Sequence, residues 1–330
     1  MKQQKTSDEE LKTLERKRRI KRISAIGCMI VAIVFLINVF LGDPVGVFHD
    51  PAAPSPSPTV SPSPTPCQNA ALERGDVLEA YFIDVGQGDC IFLRSPNGKT
   101  MLIDTGEAEH FSDVQAFLSS QNVTTLDAVV ATHPHYDHIG SMPQILQNYP
   151  VGAYYQNNYY WESLTNDKVQ SLLQEKSIPV TNVVASANSV ISWDEDVTVQ
   201  VLAPYAVAYT ECNDSSIILR VSYGDTALLL MGDATELSIR LAIKALPNHY
   251  FKANVIKIAH HGGTDGTTAK LLSTSGATMA VISCGIDNDY GHPAEKTLQL
   301  LSQYNIAVYR TDQLGTIHVV LDGTTAQVLE

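Results

Sequence analysis

The chain has 330 residues, 44% of them hydrophobic, so it can bury one large core or two ordinary ones. Its charge is uneven: nine Lys or Arg fall between Lys2 and Arg22, whereas residues 67–330 hold 13 Lys or Arg against 29 Asp or Glu, a formal charge of −16. Because Lys and Arg supply most non-specific affinity for phosphate backbones, this acidic balance counts against a nucleic-acid-coating protein, although bound metal ions could offset it locally.

The N-terminal segment differs in composition from the rest. After the basic residues 1–22, the run 23–41 is apolar apart from Ser24, Asn38 and small residues, which is about the length that crosses ~30 Å of hydrocarbon as a helix. A cleaved signal peptide is the alternative, but its apolar region is usually roughly 7–15 residues long and ends in small residues. We expect a single-pass anchor in the cell membrane, with residues 1–22 in the cytoplasm and the remainder extracellular.

A proline-rich linker, residues 42–66, follows the predicted anchor and contains DPAAPSPSPTVSPSPTP. Alternating proline removes backbone donors and favours an extended polyproline II stalk, or else disordered filler. The globular domain is therefore expected at residues 67–330. Its cysteines are Cys67, Cys90, Cys212 and Cys284, and their spacing leaves open whether they form disulfides or remain isolated buried thiols.

The globular part alternates β-branched and aromatic runs with helical patterns. In its first half we predict strands at VLEAYFID, DCIFLR, KTMLID (after an Asn-Gly turn) and LDAVVAT, and helices at HFSDVQAFLSSQ, Ile139–Asn148 and Asn166–Glu175. In the second half we predict strands at DVTVQVLAP, SSIILRVSYG, TALLLMGD, ANVIKIAHH and TMAVISCG, and helices at TELSIRLAIKAL and PAEKTLQLLSQY, the latter with proline in its first turn. Two similar halves predict an α/β fold of four layers, an αββα sandwich of two facing sheets with helices outside.

The sequence ATHPHYDHIG, residues 131–140, concentrates three of the ten histidines and a carboxylate directly after a predicted buried strand. His133 and His135 alternate along the strand direction, so they can converge on one metal ion. Asp137 and His138, where the chain turns, can face a second ion. Imidazole and carboxylate ligands suit Zn and related divalent ions. The loop therefore predicts half of a dinuclear site for two divalent ions, with Zn expected and Mn as the alternative.

This pattern of His-x-His-x-Asp-His after a strand resembles the metallo-β-lactamase superfamily. LIDTG matches the first motif of that family and implies that Asp104 orients the histidine loop, and LLLMGD implies that Asp233 bridges the two metals. YFIDVGQGDCIFLRSPNGKTMLIDTG, AHHGG at 259–263, YGHP at 290–293 and YRTDQLGTIHV at 309–319 more narrowly resemble the soluble hydrolase domain of ComEC-type competence proteins. The similarity runs from about Val77 to Val320.

The resemblance leaves one ligand unassigned. Many family members supply a third histidine to the first metal about twenty residues before the bridging aspartate, but here that place reads CNDSS. Either the first metal is bound more weakly or another histidine serves, for which His261 is the candidate. His260 is then a general acid, although the two roles could be reversed. We expect His292 to be the remaining ligand of the second metal, unless it only packs beside the following helix.

Two further stretches lie near these motifs. Asp84, Gln87 and Asp89 in FIDVGQGDC are expected to shape a glycine-enabled turn rather than to act in catalysis. The aromatic residues of YYQNNYYW, Tyr154–Trp161, either line a substrate groove or pack in the core.

Two metal ions at such a site would activate a water molecule and clamp the attacking and leaving oxygens of a displacement, with Asp137 positioning the water. The resemblance implies a phosphodiesterase or nuclease, with DNA as the expected partner besides the membrane; the sequence indicates no protein partner. One alternative is a hydrolase of another substrate, a phosphocholine ester on wall polymers or a β-lactam, which the acidic charge favours over DNA. The other is a catalytically silent binding domain, suggested by the missing third histidine.

Overall fold

The computed structural model describes residues 76–329. The predicted basic segment, anchor and proline-rich linker therefore lie outside the described residues. Within 76–329, no helix has both the length and the apolar character that a membrane crossing requires. The single-pass anchor remains a prediction.

The described residues form two β-sheets. The strands of the first sheet are β1 (Leu78–Phe82), β2 (Ile91–Arg94), β3 (Thr100–Ile103), β4 (Leu126–Ala131), β5 (Val151–Gln156), β6 (Val180–Asn182), β14 (Ile317–Leu321) and β15 (Ala326–Leu329). Their spatial order is β15-β14-β1-β2-β3-β4-β5-β6. The strands of the second sheet are β7 (Val190–Ile191), β8 (Val197–Ala203), β9 (Ile218–Tyr223), β10 (Thr226–Leu230), β11 (Val255–Lys257), β12 (Met279–Ile282) and β13 (Ala307–Arg310), in the order β13-β12-β11-β10-β9-β8-β7.

Eight α-helices accompany the two sheets in the described region. They are α1 (Phe111–Ser120), α2 (Tyr136–Ile139), α3 (Met142–Asn148), α4 (Leu164–Glu175), α5 (Glu236–Ala245), α6 (Ala269–Ser275), α7 (Glu295–Gln303) and α8 (Thr311–Leu314). Apolar residues of α1, α3 and α4 pack against the first sheet, and those of α5, α6 and α7 pack against the second. The predicted αββα sandwich is therefore confirmed.

Strand alternation builds the central core. In β4, Ala128 and Val130 face the second sheet, whereas Val129 and Ala131 face the helices. Because successive side chains of a strand point to opposite faces, one buried strand serves two cores. This explains why LDAVVAT is apolar throughout rather than alternating.

Two predicted helices differ from the structure at their ends. The helix expected over Ile139–Asn148 is split between α2 and α3, because the Ser141 amide donates to the Gly106 carbonyl, 3.1 Å away, instead of continuing a helical ladder. The last long helix begins at Glu295, so Pro293 precedes it rather than occupying its first turn.

Parallel pairing brings the chemically interesting loops to one edge of each sheet. Strands β3, β4 and β5 are parallel, as are β10, β11, β12 and β13. The carboxyl ends of parallel strands lie at the same edge, which is where α/β sheets place their ligands. Asp104 follows β3, His133 follows β4, Asp233 follows β10 and His261 follows β11.

Candidate metal centre

The histidine loop is held in place by Asp104. This residue follows β3 with a left-handed φ of 57°, and its carboxylate accepts hydrogen bonds from the Thr132 amide (2.8 Å) and the Thr132 hydroxyl (2.6 Å). Its Oδ2 also lies 2.7 Å from His138 Nδ1. Because Nδ1 is engaged, the other ring nitrogen of His138 is directed away from Asp104. Asp104 therefore contacts both the start of the histidine loop and His138.

Two ligand groups form around this loop. In the first ligand group, one nitrogen each of His133 and His135 and the sulfur of Cys212 lie within 4.8 Å of one another. In the second ligand group, one atom each of Asp137, His138, Asp233 and His261 meets the same limit. The first group thus contains the His133–His135 pair of the loop, and the second contains the Asp137–His138 pair.

Asp233 belongs to the second ligand group and also faces His133 of the first. Its Oδ2 is 3.7 Å from His133 Nε2 and 3.2 Å from His138 Nε2, while its Oδ1 is 3.4 Å from His261 Nε2. The two carboxylate oxygens therefore face different histidines. Such a carboxylate could contact two cations at once, which is the arrangement that the LLLMGD motif implies.

Several buried atoms at this centre have no hydrogen-bond partner among the described residues: His133 Nε2, His138 Nε2 and Asp233 Oδ1. Leaving a buried polar atom unpaired costs about 1–3 kcal/mol. Imidazole nitrogens and carboxylate oxygens are ligands that divalent cations accept. The ligand atoms present therefore fit a divalent metal site, and cations bound by the two ligand groups would satisfy these atoms.

The histidine pKa values shift in opposite directions in the two ligand groups. Burial lowers the pKa of His133 well below its usual value, with a further contribution from His138, and burial also lowers the pKa of His135. Burial acts in the same direction on His261, but the carboxylates of Asp233 and Asp137 outweigh it and raise the pKa of His261 to about 10. The pKa of His138 is also raised well above its usual value, because Asp233, Asp137 and Asp104 outweigh burial. The second group thus attracts positive charge.

Histidines 260 and 261 follow β11 in left-handed backbone conformations, with φ of 50° and 52°. This turn sends the buried His261 inward, where its Nδ1 lies 3.0 Å from the Ser283 carbonyl and its Nε2 lies 3.2 Å from Asp137 Oδ2. The structure therefore places His261 in the second ligand group, rather than beside the first metal position where the sequence suggested it.

His260 is half-buried and, unlike His261, pairs with a carboxylate outside the two ligand groups. Its Nδ1 lies 2.9 Å from Asp265 Oδ1, and its Nε2 lies 3.8 Å from Asp233 Oδ2 and 3.3 Å from the Asn213 side-chain nitrogen. Burial alone would lower the pKa of His260, but Asp265 and Asp233 raise it. Asp265 was not identified from the sequence, although it stands only five residues after His260.

His292 is close to the centre but in neither ligand group. Its ring centroid lies 5.3 Å from that of His260 and 6.2 Å from that of His261, and within residues 76–329 its buried Nδ1 has no hydrogen-bond partner. Its assignment as a ligand of the second metal stays a prediction.

Asp89 is a buried carboxylate beside His261. It is buried and pairs with Lys257 Nζ, and its Oδ1 lies 3.6 Å from His261 Nδ1. The preceding Gly88 has a φ of 130°, and a Cβ there would lie 2.2 Å from the Asp137 carbonyl oxygen. The glycine-enabled turn predicted for FIDVGQGDC thus supports α2.

Aromatic residues flank the two ligand groups. Trp161 contacts the His135 ring edge-on with centroids 5.1 Å apart, and Tyr290 stacks on His292 at 5.8 Å. Trp161 is 39% exposed and Tyr290 70% exposed. A cavity of about 170 Å³ beside His133 is lined by Tyr159 and Tyr160 among other residues. Tyr154 is buried and also lines this cavity. A substrate-binding role for the aromatic residues of YYQNNYYW stays a prediction.

Comparison with known proteins agrees with this fold and site. Residues 83–285, more than half of the chain, match the metallo-β-lactamase superfamily. The chain therefore belongs to the metallo-β-lactamase superfamily, and its class is that of metal-dependent hydrolases.

Its relatives include competence proteins. It is 30% identical over 256 residues to ComE operon protein 3 of Bacillus subtilis (strain 168), covering 72% of this chain and 32% of that protein. It is 28% identical over 251 residues to competence protein ComA of Neisseria gonorrhoeae, covering 74% and 33%. The chain thus spans about a third of the length of these relatives. Among solved structures, CmlA, a diiron beta-hydroxylase from Streptomyces venezuelae, is similar with a TM-score of 0.48 at 16% identity, covering 78% of this chain and 55% of that chain.

Proposed function

We propose that this chain is a membrane-anchored, extracellular phosphodiesterase that cleaves DNA at a dinuclear metal site. The observation that carries the proposal is the position of Asp233. Its Oδ2 faces both His133 of the first ligand group and His138 of the second, and its Oδ1 faces His261 of the second. Two divalent ions held by these groups would supply an activated water and neutralise the charge that develops on a phosphoryl group. Zn suits the nitrogen-rich ligand set, and Mn is the alternative.

The chain's own residues provide the remaining steps. Asp137 Oδ2 lies 3.2 Å from His261 Nε2, and its side chain is 25% exposed, so it can both bind a cation and orient a water from the open side. His260 is fixed by Asp265 through Nδ1, and its Nε2 can hold a proton for the leaving oxygen. Asp137 would thus position the attacking water, and His260 would be the general acid of the displacement.

DNA is the preferred substrate because of the relatives and the exposed aromatics. One of the relatives is named a competence protein. The ring of Trp161 lies beside His135, and the ring of Tyr290 lies beside His292. Exposed aromatic rings hold single strands by stacking on bases, with roughly 1–3 kcal/mol per base. The formal charge of −16 on residues 67–330 favours a second candidate, a small phosphodiester such as a phosphocholine ester, over long duplex DNA.

The test is a substrate panel with the full-length chain in detergent, loaded with Zn or Mn. The panel contains single-stranded DNA, duplex DNA, bis-nitrophenyl phosphate, a phosphocholine ester and nitrocefin. Metal-dependent cleavage of single-stranded DNA is expected. Turnover of only the phosphocholine ester or nitrocefin would replace the DNA assignment, and binding of metal without any turnover would favour a silent binding domain.

A further inference from the structure

The first ligand group has a sulfur where the sequence led us to seek a histidine. His133 and His135 come from the loop after β4, and Cys212 comes from the irregular segment between β8 and β9. One atom of each lies within 4.8 Å of the others. In a tetrahedral zinc site with Zn–S of about 2.3 Å and Zn–N of about 2.0 Å, ligand atoms are roughly 3.5 Å apart. A small contraction around a cation would therefore complete the site.

His133 points independently to a cation at this place. The residue is 1% exposed, and its Nε2 has no hydrogen-bond partner among the described residues. Its Nδ1 lies 3.2 Å from the Thr132 hydroxyl, so the unpaired nitrogen is the one that faces Asp233 and the first ligand group. A cysteine that only filled space would leave this buried nitrogen unsatisfied.

The backbone around Cys212 is fixed on the side of the histidine loop. The Cys212 carbonyl accepts hydrogen bonds from the Ser215 amide (3.0 Å) and the Ser215 hydroxyl (2.6 Å). The Asn157 side-chain nitrogen donates both to the Ser215 carbonyl (2.9 Å) and to the Thr132 carbonyl (3.1 Å), next to His133. The segment of Cys212 is thus tied to the strand end that carries the two histidines.

The same segment is also tied to the bridging side of the centre. Asp214 Oδ1 accepts a hydrogen bond from the Thr235 hydroxyl, two residues after Asp233. Supporting contacts of this kind hold metal ligands in position before the ion binds. Both neighbours of the first metal position, His133 and Asp233, are therefore linked to the segment that presents Cys212.

We infer that Cys212 is the third protein ligand of the first metal ion, with its thiolate in the place of an imidazole. The inference rests on the proposed metal site and specifies its chemistry. A thiolate makes this position soft, so it favours Zn or Co over Mn or Mg. It also adds a negative charge, so the first ion polarises a bound oxygen less than an ion with three imidazoles.

The test uses cobalt in place of zinc, because a cobalt–thiolate bond gives a near-ultraviolet charge-transfer band. The full-length chain, kept reduced with a phosphine, is titrated with Co(II), and metal content is measured after dialysis. The wild-type chain is expected to hold two ions and show the band. Cys212→Ser should lose the band and about one ion, whereas Cys212→His should lose the band and keep two. Cys90→Ala, which removes a buried thiol outside the ligand groups, should match the wild-type chain.

Two results overturn the inference in distinguishable ways. A wild-type chain that holds two ions without the band, or a Cys212→Ser variant that keeps the band, excludes Cys212 as a ligand and leaves the dinuclear site standing. A wild-type chain that retains no cobalt overturns the proposed function and this assignment together. If the serine variant fails to fold, the Cys212→His variant supplies the comparison, since a band that it retains also excludes Cys212 as a ligand.

Discussion

His138 Nε2 lies 3.2 Å from Asp233 Oδ2, although the two residues follow strands of different sheets. His138 is directed there by Asp104, and Asp233 stands at the end of β10, parallel to β11. The contact therefore depends on the packing of one sheet against the other. It also places a histidine that follows a strand of the first sheet and a carboxylate that follows a strand of the second around the same cation position. The geometry of the metal centre therefore depends on the packing of the two sheets.

Asp137→Ala is expected to reduce hydrolysis by roughly 100-fold or more while leaving the fold intact. The side chain is 25% exposed and contacts His261 rather than the apolar core, so its loss affects the chemistry more than the packing. Turnover and thermal unfolding should be measured together. Asp113→Ala, an exposed carboxylate on α1, is the control and should be neutral in both. Unchanged turnover in Asp137→Ala would remove this residue from the mechanism.

Gly88→Ala is expected to weaken both stability and metal binding. The new Cβ would lie 2.2 Å from the Asp137 carbonyl oxygen, a backbone atom that cannot move without shifting α2. Gly98→Ala is the matched control, since it also has positive φ but has nothing within 4 Å of the new Cβ. The control should cost about 1–2 kcal/mol from the left-handed backbone alone. Equal unfolding temperatures and equal metal affinities for the two variants would show that the turn does not support α2.

Much of this centre could be predicted from the sequence, because most of its residues stand directly after buried strands. Asp104, His133 and Asp233 each follow an apolar run, and parallel pairing collects such positions at one edge. Local patterns of this kind are visible in a single sequence.

The remaining features depend on tertiary structure. Cys212 lies in an irregular segment with no periodicity, and only the contacts of Ser215 and Asn157 bring it to His133. The left-handed turn at His260 and His261 likewise determines which of the two faces Asp137. No periodic pattern encodes such a turn, so the position of His261 in the second ligand group could not be read from the sequence.

Trp161→Ala is expected to raise KM for single-stranded DNA by about 5-fold or more with little change in kcat. Loss of one stacking contact costs roughly 1–3 kcal/mol, and the ring contacts His135 at its edge rather than a reacting atom. Steady-state kinetics on a short oligonucleotide measure the effect. Tyr304→Ala, which removes a similarly exposed ring from the end of α7, should leave KM unchanged. An equal effect of both substitutions would rule out a specific stacking role for Trp161.

Metal binding at about pH 7 is expected to release protons. In the metal-free protein, neighbouring carboxylates raise the pKa of His261 to about 10 and that of His138 well above its usual value, despite their burial. Both therefore carry a proton that a metal ion must displace, so affinity should rise with pH. Calorimetric titration of Zn in buffers of different ionisation enthalpy counts the protons. A heat that does not depend on the buffer would contradict these pKa shifts.

The most direct test of a dinuclear centre bridged by Asp233 is the metal-to-protein ratio after dialysis, compared between Asp233→Asn and His292→Ala. The carboxylate of Asp233 faces both ligand groups, whereas His292 lies beside only one, so the amide variant should loosen both ions. We predict two ions for the wild-type chain, zero or one for Asp233→Asn, and at least one for His292→Ala. Two ions retained by Asp233→Asn would contradict the bridging role of Asp233.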